Sequence, residues 1–286
     1  MIARFFLSMA AVVAALALWF LAFSSRDAGA EERRREQPVP RTIEVLLDLE
    51  FGTGGGRPLL LDLYRPRTRS AEARPAVVLI HGGGWTKGDK SQVFGAVALA
   101  SRGMVAVSVN YRLSGEAPFP AAVEDCACAV RWLRAHAREY GVDPEKIGAW
   151  GSSAGGQIAL VLAYAGPEAG LQGNGGWSGQ SSRVQAVCSW FGPTDLRIVE
   201  IPPRQYLGGT LREVPEQYAL ASAVTHVSPD DPPTWLAHGD QDPVVPIEQS
   251  QTLRDLLVQV GVPVELLTVE NGGHGFRPMN GGAVEL

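Results

Sequence analysis

The run Ala76-Val77-Val78-Leu79-Ile80 contains no polar residue and stops abruptly at His81-Gly82-Gly83-Gly84-Trp85. A strand with one wet face alternates polar and apolar side chains. An unbroken apolar run instead fits a strand buried on both faces, as in a parallel sheet covered by helices on each side. The rest of the chain follows the same plan. Residues 42–50 and 59–64 have strand character and are joined by the glycine-rich stretch 52–57, which reads as a hairpin. Residues 91–102 suit a helix, and 104–109 suit another buried strand. Residues 121–140 space their apolar side chains helically, which assigns Arg131, Arg134 and Arg138 to the solvent face and lets Gly141 end the helix. Strand 146–150, helix 153–165, strands 184–190, 233–237 and 263–269, and helix 247–260 complete the alternation. The expected fold is α/β, with a mostly parallel central sheet and helices on both faces. Residues 166–182, rich in Gly, Ser and Asn, read as a mobile loop. Residues 196–232 break the rhythm with several prolines and are expected to form a small cap insertion over the site.

The ends and the cysteines bound the biology. A positively charged start is followed by an apolar stretch at 5–23 and by Ala28-Gly29-Ala30, the A-x-A pattern of a cleavage site. Residues 1–30 therefore read as a signal peptide of a secreted or periplasmic protein, residues 31–41 as a charged, proline-containing linker, and residues 42–286 as the folded domain. The apolar stretch also has the length of a bilayer span, so an uncleaved membrane anchor over 5–23 is the alternative. Membrane contact is expected only in that case. A net charge of −5 with no long basic run argues against a nucleic-acid partner. A chain of 286 residues buries enough apolar surface to need no staples. The odd cysteine count of 3 fits buried free thiols at Cys126, Cys128 and Cys188.

Four short motifs carry chemistry. Gly151-Ser152-Ser153-Ala154-Gly155 is G-x-S-x-G between a strand and a helix, the setting that exposes a nucleophilic serine on a sharp turn. His81-Gly82-Gly83-Gly84-Trp85 follows a strand and offers backbone N–H groups to a developing oxyanion. Gly83, Gly84 and the N–H of Ala154 are the expected donors, and His81 is expected to order the loop. A phosphate loop is excluded by the glycine spacing and by Asp89. His238-Gly239-Asp240-Gln241-Asp242 places Asp242 after a strand as the acid partner of a histidine, with Asp240 and Asp195 as alternatives. His274 is the one histidine of the five in a glycine-flanked loop after the last strand. The order Ser153, Asp242, His274 is the chain order of this kind of site. No zinc pattern and no paired-cysteine site is present, so no metal or cofactor is expected.

These motifs, together with 125–147, 190–196 and 225–233, resemble the exported bacterial α/β-hydrolase esterases of the hormone-sensitive-lipase-like and feruloyl- and acetyl-esterase-like group. The resemblance covers roughly residues 42–276. It implies an α/β-hydrolase fold, Ser153 as nucleophile, His274 as general base and Asp242 as its orienter. It also implies hydrolysis of small or carbohydrate esters. A short acyl group, acetyl above all, is expected because the cap is small and Trp85, Trp190 and Phe191 lie near the motifs, with Trp190 equally readable as a core residue. A serine peptidase or amidase on the same fold and an inert binding protein are the rival readings. One departure is that only about a dozen glycine-rich residues follow His274, so the usual closing C-terminal helix is expected to be short or absent.

The leader reading has a direct consequence. N-terminal sequencing of the protein expressed in a bacterial host should begin at Glu31, in the fraction outside the cytoplasm. A start at Met1 in the membrane fraction would establish the anchor instead.

Overall fold

The computed structural model describes residues 39–68, 70–92, 95–199 and 203–277. The leader, most of the linker and the segment after Arg277 lie outside them, and so do the readings of cleavage and of a closing C-terminal helix. Eight strands form one sheet in the order β1-β2-β4-β3-β5-β6-β7-β8. β1 (Ile43–Gly54) and β2 (Arg57–Pro66) make the expected hairpin, closed by Gly55 and Gly56 at φ 60° and 79°. β2 runs antiparallel to β4 (Val105–Val109), and every later pairing is parallel, through β3 (Arg74–Ile80), β5 (Val142–Ser152), β6 (Ala186–Trp190), β7 (Thr234–Gly239) and β8 (Val264–Val269).

The two-residue period of the strands divides the core in two. Ala76, Val78 and Ile80 of β3, Val105 and Val107 of β4, and Ile147 and Ala149 of β5 face one layer. That layer is filled by α2 (Ala121–Ala135), α4 (Ala154–Tyr164) and α7 (Glu248–Gln259). Val77, Leu79, Ala106, Trp150, Cys188 and Trp235 face the other, where α1 (Ala96–Ser101) packs with Phe276. The apolar runs read from the sequence are thus buried on both faces, and helices lie on each. Among the described residues no helix is long and apolar enough to cross a membrane. Cys126, Cys128 and Cys188 are buried free thiols, and burial pushes each of them up from the usual thiol range.

Several expectations need correction. The helix foreseen over 121–140 stops at Ala135 and resumes as the single turn α3 (Ala137–Tyr140), after which Gly141 at φ 72° ends it. Arg131 is not on a solvent face. It is 3% exposed and donates from Nε to Gly176 O at 3.0 Å and from Nη1 to Gln172 O at 2.6 Å. Arg134 is half-buried and donates to the carbonyls of Pro144, Ser181 and Arg183. The glycine-rich segment 166–182 therefore lies over helix α2, its carbonyls held by guanidinium groups, and is not a free loop. Helix α1 starts five residues later than the expected 91, after a short 3₁₀ turn at Lys90–Gln92. The expected cap at 196–232 contains the short helices α5 (Arg204–Leu207) and α6 (Pro215–Leu220) and a 3₁₀ turn at Ala223–Thr225.

Candidate active site

Ser153 joins β5 to α4 with φ 52° and ψ −122°. An L-residue held there stores on the order of 1–3 kcal/mol of backbone strain. The surrounding small residues are a steric requirement. A Cβ on Gly151 would lie 2.0 Å from Gly155 O, one on Gly155 would lie 2.2 Å from Ile80 O, and one on Gly156 would lie 2.5 Å from Ser189 Oγ. The turn is tied down by the Ser153 N–H, which donates to Trp190 O at 2.8 Å, and by Ser153 O, which accepts from Gln157 N–H at 3.1 Å. Ala154 is the first residue of α4, so its N–H has no acceptor within the helix and marks the positive end of the helix dipole.

The glycine loop after β3 comes up against this turn. A Cβ on Gly82 would stand 3.3 Å from Ser153 Cβ. Gly83 and Gly84 have φ of 113° and 60°, and a side chain on Gly83 would strike Lys87 O at 2.1 Å. Gly83 O accepts from the N–H groups of Thr86 and Lys87, both at 3.2 Å, whereas the N–H groups of Gly83 and Gly84 donate to no backbone acceptor among the described residues. His81 is buried and stacks on Tyr111 at 4.2 Å, its Nδ1 lies 2.8 Å from Gly82 O, and burial lowers its proton affinity. The Tyr111 hydroxyl donates to His81 O at 2.9 Å. His81 thus sits as a packed part of the loop's base.

Asp242 follows β7. Its Oδ1 accepts the N–H groups of Val244 at 2.8 Å and Val245 at 3.0 Å, and its Oδ2 lies 2.7 Å from His274 Nδ1. His274 Nε2 lies 3.0 Å from Ser153 Oγ. A carboxylate only accepts, so Nδ1 carries the proton, and the neutral ring then offers Nε2 as the acceptor of the serine O–H. Burial alone would raise the Asp242 carboxyl. Donors from His238, His274 and Val245 outweigh that and hold it well below the usual carboxylate range. The His274 side chain is 24% exposed, so the line from Asp242 to Ser153 ends at a surface that a substrate can reach. Phe191 presents its edge to the His274 ring at 4.8 Å. The structure therefore brings Ser153, Asp242 and His274 together and places the glycine loop beside them. The alternatives are occupied elsewhere: Asp195 pairs with Arg197 through two hydrogen bonds of 2.8 and 2.7 Å, and Asp240 is exposed. Among the described residues no group of three or more His, Cys, Asp or Glu side chains is arranged to hold a metal ion.

One open reading is decided and one residue is new. Trp190, readable either as a wall of the acyl site or as core, is core: its ring packs between Trp150 at 4.6 Å and Phe276 at 5.3 Å, in the layer opposite α4. Its carbonyl accepts from the Ser153 N–H at the turn. Gln157 escaped the sequence reading. It is fully buried, its Oε1 accepts from Trp85 Nε1 at 2.9 Å and from the Tyr206 hydroxyl at 3.2 Å, and its Nε2 donates to Ala221 O at 2.8 Å. Trp85 and Tyr206 stack at 4.7 Å. One amide thus ties the glycine loop and the cap to α4. Its signal in the sequence is a lone amide within the apolar stretch of α4.

Comparison with known proteins places this geometry. Residues 61–257 match the BD-FAE family model. The chain is 30% identical over 251 residues to Esterase LipQ of Mycobacterium tuberculosis, which covers 84% of this chain and 59% of LipQ. The chain thus spans about three fifths of the length of that curated relative. Among solved structures, a truncated carbohydrate esterase from gut microbiota superposes with a TM-score of 0.76 at 26% identity, covering 85% of this chain and 93% of the other. An acetyl ester-xyloside bifunctional hydrolase from Caldicellulosiruptor lactoaceticus superposes with a TM-score of 0.68 at 26% identity, covering 79% and 83%. The fold is that of the α/β-hydrolase esterases.

The lowered Asp242 carboxyl makes stability depend on pH. Its folded value lies below the ordinary unfolded value of about 3.9, so its ionised form stabilises the fold above that pH, and the contribution fades as pH falls toward the folded value. In chemical denaturation, wild type should exceed Asp242→Asn in stability at about pH 5, and the gap should narrow at about pH 3. A gap that widens on acidification would contradict the assignment.

Proposed function

We propose that this chain, which belongs to the BD-FAE family of α/β-hydrolases, is a serine carboxylesterase that cleaves short-chain, acetyl-type esters, including esters on carbohydrate. The observation that carries this reading is the unbroken line from Asp242 Oδ2 through His274 to Ser153 Oγ, at 2.7 and 3.0 Å. In the proposed reaction His274 Nε2 takes the Ser153 hydroxyl proton while Oγ attacks the ester carbonyl carbon. Asp242 holds the ring in the Nδ1–H tautomer and stabilises the imidazolium. The N–H groups of Gly83, Gly84 and Ala154 receive the oxyanion, an interaction whose donors contribute about 3 kcal/mol each in comparable enzymes. The tetrahedral intermediate collapses, the C–O bond to the alcohol breaks, and His274 returns the proton to the leaving oxygen. A water molecule activated by the same imidazole then attacks the acyl-serine and releases the acid. None of these steps needs a cofactor.

The substrate reading rests on the walls. Trp85 is fixed by Gln157 and stacked on Tyr206, so the aromatic face beside the glycine loop is clamped in place. The cap helices have only 4 and 6 residues, too short to line a long apolar tunnel. Each CH₂ of a longer acyl chain adds about 0.8 kcal/mol only where such a surface receives it. The named activities of the gut carbohydrate esterase and the acetyl ester-xyloside hydrolase are in keeping with acetyl groups on sugars as substrates. Read as a leader, residues 1–30, which lie outside the described residues, would deliver the domain beyond the cytoplasm, and read as an anchor they would hold it in the membrane.

Ser153→Ala should lower kcat on an acetyl ester roughly 10⁴-fold or more, and Ser152→Ala should be mild by comparison. Comparing kcat/KM for acetyl, butyryl and octanoyl esters of one alcohol tests the acyl preference. Octanoyl turnover equal to acetyl would rule out the short-acyl reading. A wild-type protein that ignores a fluorophosphonate probe would point to an inert module, and preferential cleavage of peptides would point to the peptidase reading.

A further inference from the structure

His238 is the last residue but one of β7 and is completely buried, yet it has no part in the reaction just outlined. Its Nε2 lies 2.7 Å from Val245 O, and a carbonyl can only accept, so Nε2 carries a proton. The same Nε2 stands 3.4 Å from Asp242 Oδ2, the oxygen that faces His274. The hydrogen bond goes to the carbonyl, and the carboxylate oxygen lies beside it as a longer electrostatic contact. Its Nδ1 lies 2.7 Å from Ser250 Oγ on α7, and Ser250 is itself buried. With Nε2 protonated, a neutral ring accepts the Ser250 O–H at Nδ1. The Val245 carbonyl therefore sets the tautomer of His238, and Ser250 holds the other side of the ring.

The second connection runs through the backbone. Val245 receives the His238 proton on its carbonyl and gives its own N–H to Asp242 Oδ1 at 3.0 Å. His238 thus faces Oδ2 at 3.4 Å and is linked to Oδ1 through the Val245 peptide. Without it, the Asp242 carboxylate keeps two backbone donors on one oxygen and only His274 on the other. Because the site is buried, the lost donor is not replaced by bulk water.

We propose that His238 is a positioning residue. Its Nε2–H, directed to the Val245 carbonyl with the ring braced by Ser250, holds the loop around the Asp242 carboxylate so that Oδ2 stays aimed at His274 Nδ1. The inference rests on the serine-esterase reading for its effect on turnover, but not for its structural content. The test therefore pairs kinetics with the low-field proton NMR resonance of the His274 Nδ1–H, which is read without any turnover. His238→Phe, which fills the volume without a donor, should lower kcat about tenfold, the loss of one buried hydrogen bond, with KM nearly unchanged. The same variant should shift or broaden the resonance. His238→Gln, which restores an N–H near the position of Nε2, should recover most of kcat and the resonance. If His238→Phe fails to fold, Ser250→Ala takes its place, with an expected fall in kcat of about threefold and a displaced resonance. A wild-type resonance in whichever folded variant is used overturns the proposal, whatever happens to kcat, because the loss would then be structural only. Failure of the esterase reading shows itself separately, as a Ser153→Ala variant that loses no activity.

Discussion

The close approach of α4 to the strand ends is the constraint on which the rest of the molecule depends. Gly155 lies so near β3 that a single added carbon would fall 2.2 Å from Ile80 O and 2.5 Å from His81 O. Only this approach lets the chain reverse from β5 into α4 within one residue, and that reversal puts Ser153 at φ 52°. The strain is local, but it is balanced by a buried helix whose residues from Ile158 to Val161 are essentially without exposure. Neither the helix nor the sheet can relax the turn without opening the larger of the two core layers. The serine hydroxyl is therefore presented by rigid elements, and its position does not depend on a loop.

The same constraint explains what could be read in the sequence. The glycines of 151–156 are legible because sterics forbid anything else at several of them, so motif and geometry carry the same information. The strand runs were legible because burial on both faces removes the polar alternation. What stayed hidden depends on how elements face one another. The strand period puts Trp190 on the same side as Ala186 and Cys188, but it does not say which side of the sheet holds α4, so the sequence left the ring open between the site and the core, and it lies in the layer opposite α4. Arg131 looked solvated because its helix face is polar. The segment over that face offers bare carbonyls to a guanidinium, and no local pattern announces such a partner 41 residues away. His238 and Gln157 share that difficulty, since their partners come from α7, the cap and the glycine loop.

Charge is arranged in the candidate site as economically as backbone. A lone carboxylate in the interior would take up a proton, because desolvation penalises its charged form. Asp242 instead receives two backbone N–H groups on one oxygen and lies against imidazole nitrogens on the other. It is thereby kept ionised where an ionised group is costly. The negative charge favours the Nδ1–H tautomer of His274 and would favour its imidazolium during proton transfer from Ser153. The two histidines around Asp242 differ in exposure, His238 being sealed in and His274 partly open. That difference suits one to holding the carboxylate and the other to exchanging protons with a substrate.

The glycine loop raises the opposite problem, since a segment free enough to adopt positive φ is also free to move. It is fastened at three places by unrelated interactions. At its start His81 stacks on Tyr111, whose hydroxyl holds the His81 carbonyl. In the middle Trp85 is held by Gln157 and by the ring of Tyr206. At its end Lys90 reaches Asp62 at 2.7 Å and Asp48 at 2.9 Å, while its N–H donates to Asn110 Oδ1 at 2.6 Å. These anchors come from the segment after β4, from the cap and α4, and from the β1–β2 hairpin. Donors meant for an oxyanion are useful only if they already point at it, because reorienting them during the reaction would consume the stabilisation they provide. On this account the cap and the antiparallel hairpin, which carry none of the proposed reacting groups, help to hold the Gly83 and Gly84 N–H groups still. The middle anchor also makes the segment around Tyr206 and the glycine loop a single mechanical unit, so a group that displaces Tyr206 would disturb the proposed oxyanion donors as well.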